Sequence, residues 1–151
     1  MLTSMCVFCG SSVGSRPEYA AAAVTLGQLL ANSGIRLVYG GANRGLMGVL
    51  ADACLEAGGA VTGVMPRFLF EKEIAHRGLT DLRVVETMHE RKALMADLAS
   101  AFVALPGGFA WPEHRNLIVS SVDAADLLDK LNSFQVPALS KWVDPRPGDR
   151  R

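Results

Sequence analysis

The sequence has no excess charge of either sign, since its 15 Lys and Arg residues are balanced by 15 Asp and Glu residues. A protein that binds nucleic acid or an anionic membrane surface usually carries a basic patch. The start of the chain, MLTSMCVFCG, lacks a basic segment followed by a long apolar core. No apolar stretch reaches the roughly 18 residues of a membrane span. We therefore expect a soluble cytoplasmic protein with neither nucleic-acid nor membrane partners.

Cysteine is also scarce, with 3 residues in the chain. Cys6 and Cys9 form a C-x-x-C pair, a spacing found in redox and metal sites. Their segment, MCVFC, is typical of a buried strand, and residues three apart on a strand point to opposite faces. Cys54 lies in a helical pattern with no second pair nearby. These patterns favour ordinary buried thiols over a redox pair, and they argue against a zinc site or another bound metal.

Apolar segments of strand length alternate with helical patterns along most of the chain. The strands are continuously apolar, which is typical of a parallel sheet covered on both faces. We predict an α/β fold with a Rossmann-like doubly wound parallel sheet in a single domain, residues 1–143, and a disordered polar tail, residues 144–151. The predicted strands are residues 5–9, 35–39, 60–65, 82–85 and 101–105, and a further short apolar segment covers 117–119. The predicted helices begin after Ser15, near residue 46, after Thr87 and near residue 123.

Two helix starts carry recognisable capping signals. Ser15 is followed three residues later by Glu18, with Pro17 in the first turn, and Thr87 is followed by Glu90 in the same way. Gly34 follows the first helix, where a left-handed glycine cap is common. These signals predict helix starts after Ser15 and Thr87 and a helix end at Gly34.

Glycine-rich turns follow three of the predicted strands: Gly10-Ser11-Ser12, Gly40-Gly41-Ala-Asn-Arg-Gly45 and Pro106-Gly107-Gly108. In open parallel sheets ligands collect beyond the carboxyl ends of the strands. Several glycine turns on one edge would bring backbone amides together and favour a phosphorylated small molecule. Glycine also serves in helix caps and tight turns, so each turn taken alone has a purely structural alternative.

Other nucleotide signatures are missing. The chain has no G-x-x-x-x-G-K-[ST] phosphate loop, and the spacing after the second strand differs from the dinucleotide G-x-G-x-x-G. No acidic residue ends the second strand to hold a ribose in the usual way. A mononucleotide therefore fits the sequence better than a nucleoside triphosphate or NAD, and no cofactor is predicted.

Arg91 and Lys92 lie in the first turn of the helix that begins after Thr87, where positive charge opposes the helix dipole. Their spacing from Met88 and Met95 predicts a shared helix face. An anion opposite this turn would explain the two cations, whereas the alternative is a solvated patch with the methionines in the core. Glu90 already has a capping role. Glu73, His76, His89 and His114 carry no decisive signal of their own.

Four motifs together resemble one family. CVFCGSS, LVYGGANRGLMG, MHERKALM and ALPGG, spread over residues 5–110, are similar to the Lonely Guy proteins, the cytokinin riboside 5′-monophosphate phosphoribohydrolases, which are also described as possible lysine decarboxylases. The resemblance implies a Rossmann-like fold and a homodimer with active sites near the subunit interface. It further implies hydrolysis of the N-glycosidic bond of AMP or a cytokinin riboside 5′-monophosphate, giving free base and ribose 5-phosphate.

The resemblance also implies roles for individual residues. Arg91 takes the place of the catalytic arginine, Lys92 is its paired cation, and Glu73 aligns with a substrate-binding glutamate. The phosphate-binding turn aligns with Gly107 and Gly108. The remaining residues expected to bind substrate lie on the other turns and beside Arg91: Gly10, Ser11, Gly40, Gly41 and Met88.

The family motif P-G-G-x-G-T-x-x-E is broken here, because Ala110 and Trp111 stand where it has Gly-Thr. Glu113 falls one position short of the motif's glutamate and is the remaining candidate for a catalytic carboxylate. PEHRNLIV, from Pro112 onward, resembles a segment that the family carries much later, which predicts an internal deletion of several tens of residues and the loss of a strand with flanking helices. The alternative function is an inactive nucleotide-binding or dimerising remnant. Amino-acid decarboxylation is disfavoured, because no lysine stands in the context that a lysine-linked cofactor needs.

Overall fold

The computed structural model describes residues 2–72, 74–105 and 123–133. In this part of the chain strands and helices alternate, as predicted. The strands are β1 (Ser4–Phe8), β2 (Arg36–Tyr39), β3 (Val61–Pro66), β4 (Asp81–Val85) and β5 (Ala101–Ala104). The helices are α1 (Pro17–Asn32), α2 (Gly45–Glu56), α3 (Arg67–Phe70), α4 (Met88–Leu98) and α5 (Ala124–Ser133).

The five strands form one sheet in the order β4-β3-β2-β1-β5, and each neighbouring pair is parallel. The chain moves outward from β1 to β4 and then returns through α4 to place β5 on the other side of β1. Ligand sites in such sheets lie beyond the carboxyl ends of the strands, where the direction of winding reverses. The predicted α/β class with a parallel sheet is confirmed.

Helices cover both faces of the sheet. Buried side chains of α1, α2 and α5 pack against one face, with Met5 and Val7 of β1, while Met95 of α4 packs against Cys6 of β1 on the other. Consecutive residues of a strand point to opposite faces, so a strand covered on both sides must be apolar at every position. This double burial explains the continuous apolar runs. Complete burial of a large aliphatic side chain contributes about 1.5–3 kcal/mol.

The three cysteines are free, and the interpretation of Cys6 and Cys9 as thiols on opposite faces is confirmed. Cys6 is fully buried, whereas Cys9 at the end of β1 is half-buried. Desolvation raises the pKa of Cys6 to about 12 and that of Cys9 and Cys54 to about 11. These thiols are therefore protonated at neutral pH, which removes the nucleophilic form that redox chemistry needs.

The two capping predictions have different outcomes. At α4 the Thr87 hydroxyl accepts from the Glu90 amide, and the Glu90 carboxylate accepts from the Thr87 amide, so this capping box is confirmed. At α1 the prediction was wrong, because Arg16 is the N-cap and no side chain caps the helix. Pro17, whose fixed φ suits the first helical position, starts that helix one residue later than a Ser15 capping box needs.

Other boundaries lie within a residue or two of those predicted. Gly34 has φ +66°, as expected of a left-handed helix end. The four-residue helix α3 was not predicted, since it is too short to show a periodic pattern. The apolar segment 117–119, the end of the proposed domain at residue 143 and the tail 144–151 lie outside the described residues. Within the described ranges, no helix combines the length and apolarity needed to cross a bilayer.

Candidate functional site

Arg91 lies on the first turn of α4 and reaches the carboxyl ends of two neighbouring strands. Its Nε donates to the Val64 carbonyl at 2.9 Å, and its Nη2 donates to the Gly40 carbonyl at 2.8 Å. Val64 belongs to β3, and Gly40 directly follows β2. The guanidinium is therefore held in one orientation at the edge of the sheet where the sequence predicted a site.

Gly40 is required for this arrangement. A Cβ built on Gly40 would overlap Nη2 of Arg91 and would lie 3.2 Å from the sulfur of Met47. Any side chain at this position must displace either the guanidinium or the turn. The Gly40 turn thus provides the space and one of the acceptors that hold Arg91.

Arg91 keeps its charge without a carboxylate partner in the described part of the chain. Burial lowers its pKa, and the neighbouring Cys6 opposes this shift. An arginine pKa starts so high that the side chain stays protonated at neutral pH. Nη1 contacts only the sulfur of Met88, at 3.9 Å, among the described hydrogen-bond acceptors. A half-buried cation with one guanidinium nitrogen so weakly engaged is suited to bind an anion or a polar group of a ligand.

The turn after β1 lies against the start of α2. Gly45, the first residue of α2, has φ +60°, and a Cβ there would overlap the backbone of Ser11 and lie 2.6 Å from the Ser12 nitrogen. Because Gly45 has no side chain, the Gly10-Ser11-Ser12 turn can pack on the helix terminus. Two of the three predicted glycine turns therefore meet at the same edge of the sheet.

The Gly40-Gly41 turn is joined to residues 74–76, which precede β4. The His76 amide donates to the Gly41 carbonyl at 2.8 Å, and the Asn43 amide donates to the Ile74 carbonyl at 3.0 Å. Ala42 and Ala75 form an antiparallel bridge between these bonds. Residues 41–43 and 74–76 consequently form a short antiparallel pair next to the Gly40 turn.

The His76 side chain ties this pair to α2. Its Nε2 lies 2.7 Å from Oδ1 of Asp52, and its Nδ1 accepts the Gly78 amide proton at 3.0 Å. Since Nδ1 accepts, Nε2 carries the proton and donates to the carboxylate. The sequence indicated no role for His76, because its hydrogen-bond partner Asp52 is 24 residues away in the chain.

Arg44 was also missed by the sequence reasoning. It is exposed and is the N-cap of α2, next to Gly45. A cation at a helix start, where positive charge opposes the helix dipole, is the same signal that drew attention to Arg91. That signal was available at Arg44 and was overlooked within the glycine motif.

The predicted site residues fall into three groups. Arg91 contacts Gly40, and Met88, which is 41% exposed, lies beside it. Lys92 is exposed, so the shared face with Met95 was wrong: adjacent helical residues are about 100° apart, and only Arg91 of the pair turns inward. Of the remaining predicted residues, Gly10, Ser11 and Gly41 lie on the turns described above, whereas Glu73, Gly107, Gly108 and Glu113, together with His114, lie outside the described residues.

No group of three His, Cys, Asp or Glu side chains able to hold a metal ion occurs among the described residues. His89 is exposed on the first turn of α4. The donors at this edge of the sheet are a guanidinium and backbone groups, a set that suits anionic and polar ligands rather than cations.

The fold and the turns at its carboxyl edge define a Rossmann-like α/β protein. Residues 47–113 match the model of a family described as "Possible lysine decarboxylase". A probable cytokinin riboside 5′-monophosphate phosphoribohydrolase of Oryza sativa subsp. japonica, LOGL9, is 38% identical over 176 residues, covering 86% of this chain and 78% of that protein. The chain belongs to this family, the Lonely Guy proteins, as the four sequence motifs predicted.

Other relatives are more similar over a shorter length. The cytokinin riboside 5′-monophosphate phosphoribohydrolase of Rhodococcoides fascians is 53% identical over 111 residues, which are 73% of this chain and 56% of that protein. Rice LOGL1, a probable enzyme of the same name, is 48% identical over 109 residues and 49% of its length. The chain thus spans about half the length of these two curated relatives.

The alignment to LOGL9 bears on the broken motif. It runs over 176 residues but takes in only 86% of this 151-residue chain, about 130 residues. Several tens of positions in the relative therefore have no counterpart here. That these positions fall after Ala110, at the interrupted P-G-G-x-G-T-x-x-E motif, stays a prediction.

Solved structures share the fold. A Moco carrier protein from Chlamydomonas reinhardtii superposes with a TM-score of 0.69 at 18% identity, covering 87% of this chain and 96% of that one. The structural-genomics target TM1055 superposes with a TM-score of 0.59 at 25% identity, covering 70% and 62%. At 18% identity the Moco carrier likeness shows the architecture alone.

Proposed function

We propose that the chain binds a nucleoside 5′-monophosphate and hydrolyses its N-glycosidic bond. The products are the free base and ribose 5-phosphate, and AMP or a cytokinin riboside 5′-monophosphate is the substrate. The observation that carries the proposal is Arg91, a half-buried guanidinium held by two backbone carbonyls at the carboxyl edge of the sheet, with no carboxylate partner among the described residues. Membership of the phosphoribohydrolase family supports the reaction.

The reaction breaks the bond between C1′ of the ribose and a ring nitrogen of the base. The hydroxyl of water bonds to C1′, and the remaining water proton ends on the base. The transition state has oxocarbenium character at the sugar and negative charge on the departing base. A fixed cation near the base lowers this barrier, because its hydrogen bonds strengthen as the negative charge develops.

Arg91 is the cation proposed to stabilise the negative charge on the departing base. Nε and Nη2 are engaged by carbonyls, so the guanidinium cannot rotate freely, and Nη1 is the nitrogen left to meet the ligand. Gly40 contacts the guanidinium and Gly41 follows it in the same turn, and Gly10 and Ser11 lie on the neighbouring turn. Met88, Lys92, Glu73, Gly107 and Gly108 complete the proposed substrate contacts, and Glu113 is the proposed carboxylate that orients water.

A nucleotide-binding protein without hydrolase activity is the second candidate. The interrupted P-G-G-x-G-T-x-x-E motif favours it, since a phosphate that loses its helix-terminus amides loses charge-assisted bonds worth about 1.5–3 kcal/mol each. The enzymes named among the relatives favour hydrolysis instead. The two candidates differ in whether bound AMP is cleaved.

The first experiment incubates the full chain with AMP, with a cytokinin riboside 5′-monophosphate and with adenosine, and measures free base by chromatography. We expect base from the two monophosphates and much less from adenosine. Arg91→Ala should lower AMP cleavage by about 100-fold or more, since charge-assisted bonds in the transition state are removed. AMP binding by calorimetry without base release would establish the second candidate, and absence of both would refute nucleotide handling.

Adenosine also separates two roles for Arg91. A cation that assists the departing base should lower cleavage of AMP and of adenosine by similar factors when it is removed. A cation that only anchors the phosphate should lower AMP cleavage alone. Arg67→Ala serves as the matched control, because Arg67 is exposed and paired with Glu86, and it should leave both rates within about twofold.

The expected homodimer belongs to the same proposal and is tested by light scattering on the purified chain. A mass of about twice 16.1 kDa supports it, and a monomer at working concentration contradicts it. The cytoplasmic location and the absence of nucleic-acid and membrane partners stay predictions.

A further inference from the structure

The His76 side chain uses both of its ring nitrogens. Nδ1 accepts the amide of Gly78 at 3.0 Å, and Nε2 donates to Oδ1 of Asp52 at 2.7 Å. The imidazole is 12% exposed, whereas the Asp52 side chain is 58% exposed. A histidine with its lone pair and its proton both engaged in this way is not free to exchange protons with a ligand. The side chain instead forms a hydrogen-bonded bridge between α2 and residues 74–76, the segment that precedes β4.

This hydrogen-bonded bridge is connected to the Gly40-Gly41 turn of the candidate site. The His76 backbone amide donates to Gly41, and the next bond along the pair joins Asn43 to Ile74. Gly41 follows Gly40, whose carbonyl accepts from Arg91. From the imidazole to the guanidinium the path therefore consists of two hydrogen bonds and a short stretch of backbone.

The same segment continues toward a second proposed substrate residue. Ile74 immediately follows Glu73 in the sequence, and the resemblance assigns Glu73 to substrate binding.

We propose that His76 and Asp52 form a positioning pair that fixes the Gly40–Asn43 turn and residues 74–76 for nucleotide cleavage. This inference rests on the proposed function and deepens it, since it adds two residues that do not touch substrate. The Asp52 carboxylate accepts a hydrogen bond from the imidazole and fixes its orientation. The imidazole thereby anchors residues 74–76, which are hydrogen-bonded to the turn whose Gly40 carbonyl accepts from Arg91. Small displacements of a positioned catalytic group lower rates strongly even when the fold is intact.

Asp52 offers the cleanest test because it is exposed, so its removal leaves no buried cavity. Asp52→Ala should lower kcat for AMP by about tenfold. Asp52→Asn retains an oxygen that can accept from Nε2, and its kcat should stay within about threefold of the unchanged chain. Glu56→Ala is the matched control, an exposed acidic residue one turn further along α2, and it should change nothing.

A second readout measures the anchor itself. The amides of His76 and Asn43 are bonded across the antiparallel pair, so their hydrogen exchange reports its opening. In Asp52→Ala both amides should exchange about tenfold faster, while amides in β1 and β2 keep their rates. His76→Asn provides an independent variant, because its shorter amide can still accept from Gly78 two residues on but cannot reach Asp52.

The outcomes separate this inference from the proposed function. A slower kcat with faster exchange at the two amides, rescued in Asp52→Asn, supports the positioning pair. An unchanged kcat in Asp52→Ala, unchanged exchange, or equal losses in Asp52→Ala and Asp52→Asn would overturn it. If the unchanged chain releases no base, the hydrolase proposal fails, and AMP affinity is compared instead: weaker binding in Asp52→Ala supports the pair, and equal binding overturns it.

Discussion

Arg91 and Arg67 both lie at the carboxyl edge of the sheet, and their surroundings differ completely. Arg67 is exposed, and its Nε and Nη2 contact the Glu86 carboxylate at 2.6–3.2 Å. Arg91 is half-buried and donates to two backbone carbonyls instead. A carboxylate neutralises a guanidinium, whereas a carbonyl orients it and leaves its charge in place. The comparison teaches that the partner, more than the position, decides which arginine remains available to a ligand.

Adding a methyl group beneath Arg91 should give the largest of the following effects. Gly40→Ala forces the guanidinium away from its carbonyls, and we expect AMP cleavage to fall by about 100-fold, since the catalytic group is displaced by more than a few tenths of an ångström. The measurement is kcat/KM for AMP beside the free energy of unfolding.

Gly58→Ala is the control for that substitution. Gly58 has φ +80° with open space around a Cβ, so alanine there costs about 1 kcal/mol of stability through backbone strain alone. Its AMP cleavage should be unchanged. Equal activity losses in the two variants would mean that Gly40 acts through general stability.

Giving Arg91 a carboxylate should make it resemble Arg67. Met88 lies one helical turn before Arg91 and contacts its Nη1, so Met88→Glu places an acid within reach at the (i, i+3) spacing. We expect AMP cleavage about tenfold below that of Met88→Gln, which has the same size without the charge. If the two variants cleave AMP equally, the free charge of Arg91 is not what the reaction uses.

Removing the carboxylate from Arg67 should have the smallest effect. The hydrogen bond from Arg67 lowers the pKa of Glu86. A carboxyl group whose folded pKa is depressed adds stability above its unfolded pKa, about 4.3, and loses it as pH falls through the folded value. Glu86→Gln should lower the melting temperature at pH 7 by no more than about 1–2 °C, because the pair is exposed and screened by solvent.

The pH dependence supplies the check on that prediction. Thermal melts of Glu86→Gln and the unchanged chain should converge once the pH falls below the lowered pKa of folded Glu86, because the carboxyl is then protonated in both folded and unfolded chains. AMP cleavage at pH 7 should stay the same. A marked loss of cleavage would place the Arg67–Glu86 pair within the site and remove the contrast with Arg91.

Local patterns in the sequence were sufficient for much of the fold. Largely apolar segments identified the five strands, and the apolar run is most complete in the central strands that are covered on both faces. Thr87 and Glu90 identified the start of α4 because a capping box is confined to four neighbouring residues. The same signal failed at Ser15, where Pro17 set the helix start.

The sequence by itself determined the α/β class and the family and predicted a role for Arg91, because these depend on local periodicity, on motifs and on a charge that opposes a helix dipole. Only the tertiary structure decided how the guanidinium is held, since its acceptors at Gly40 and Val64 are 51 and 27 residues away. It likewise decided that Arg91 turns inward while Lys92 faces solvent, and that Asp52 meets His76. Contacts between distant segments depend on how the elements pack, which no local pattern encodes.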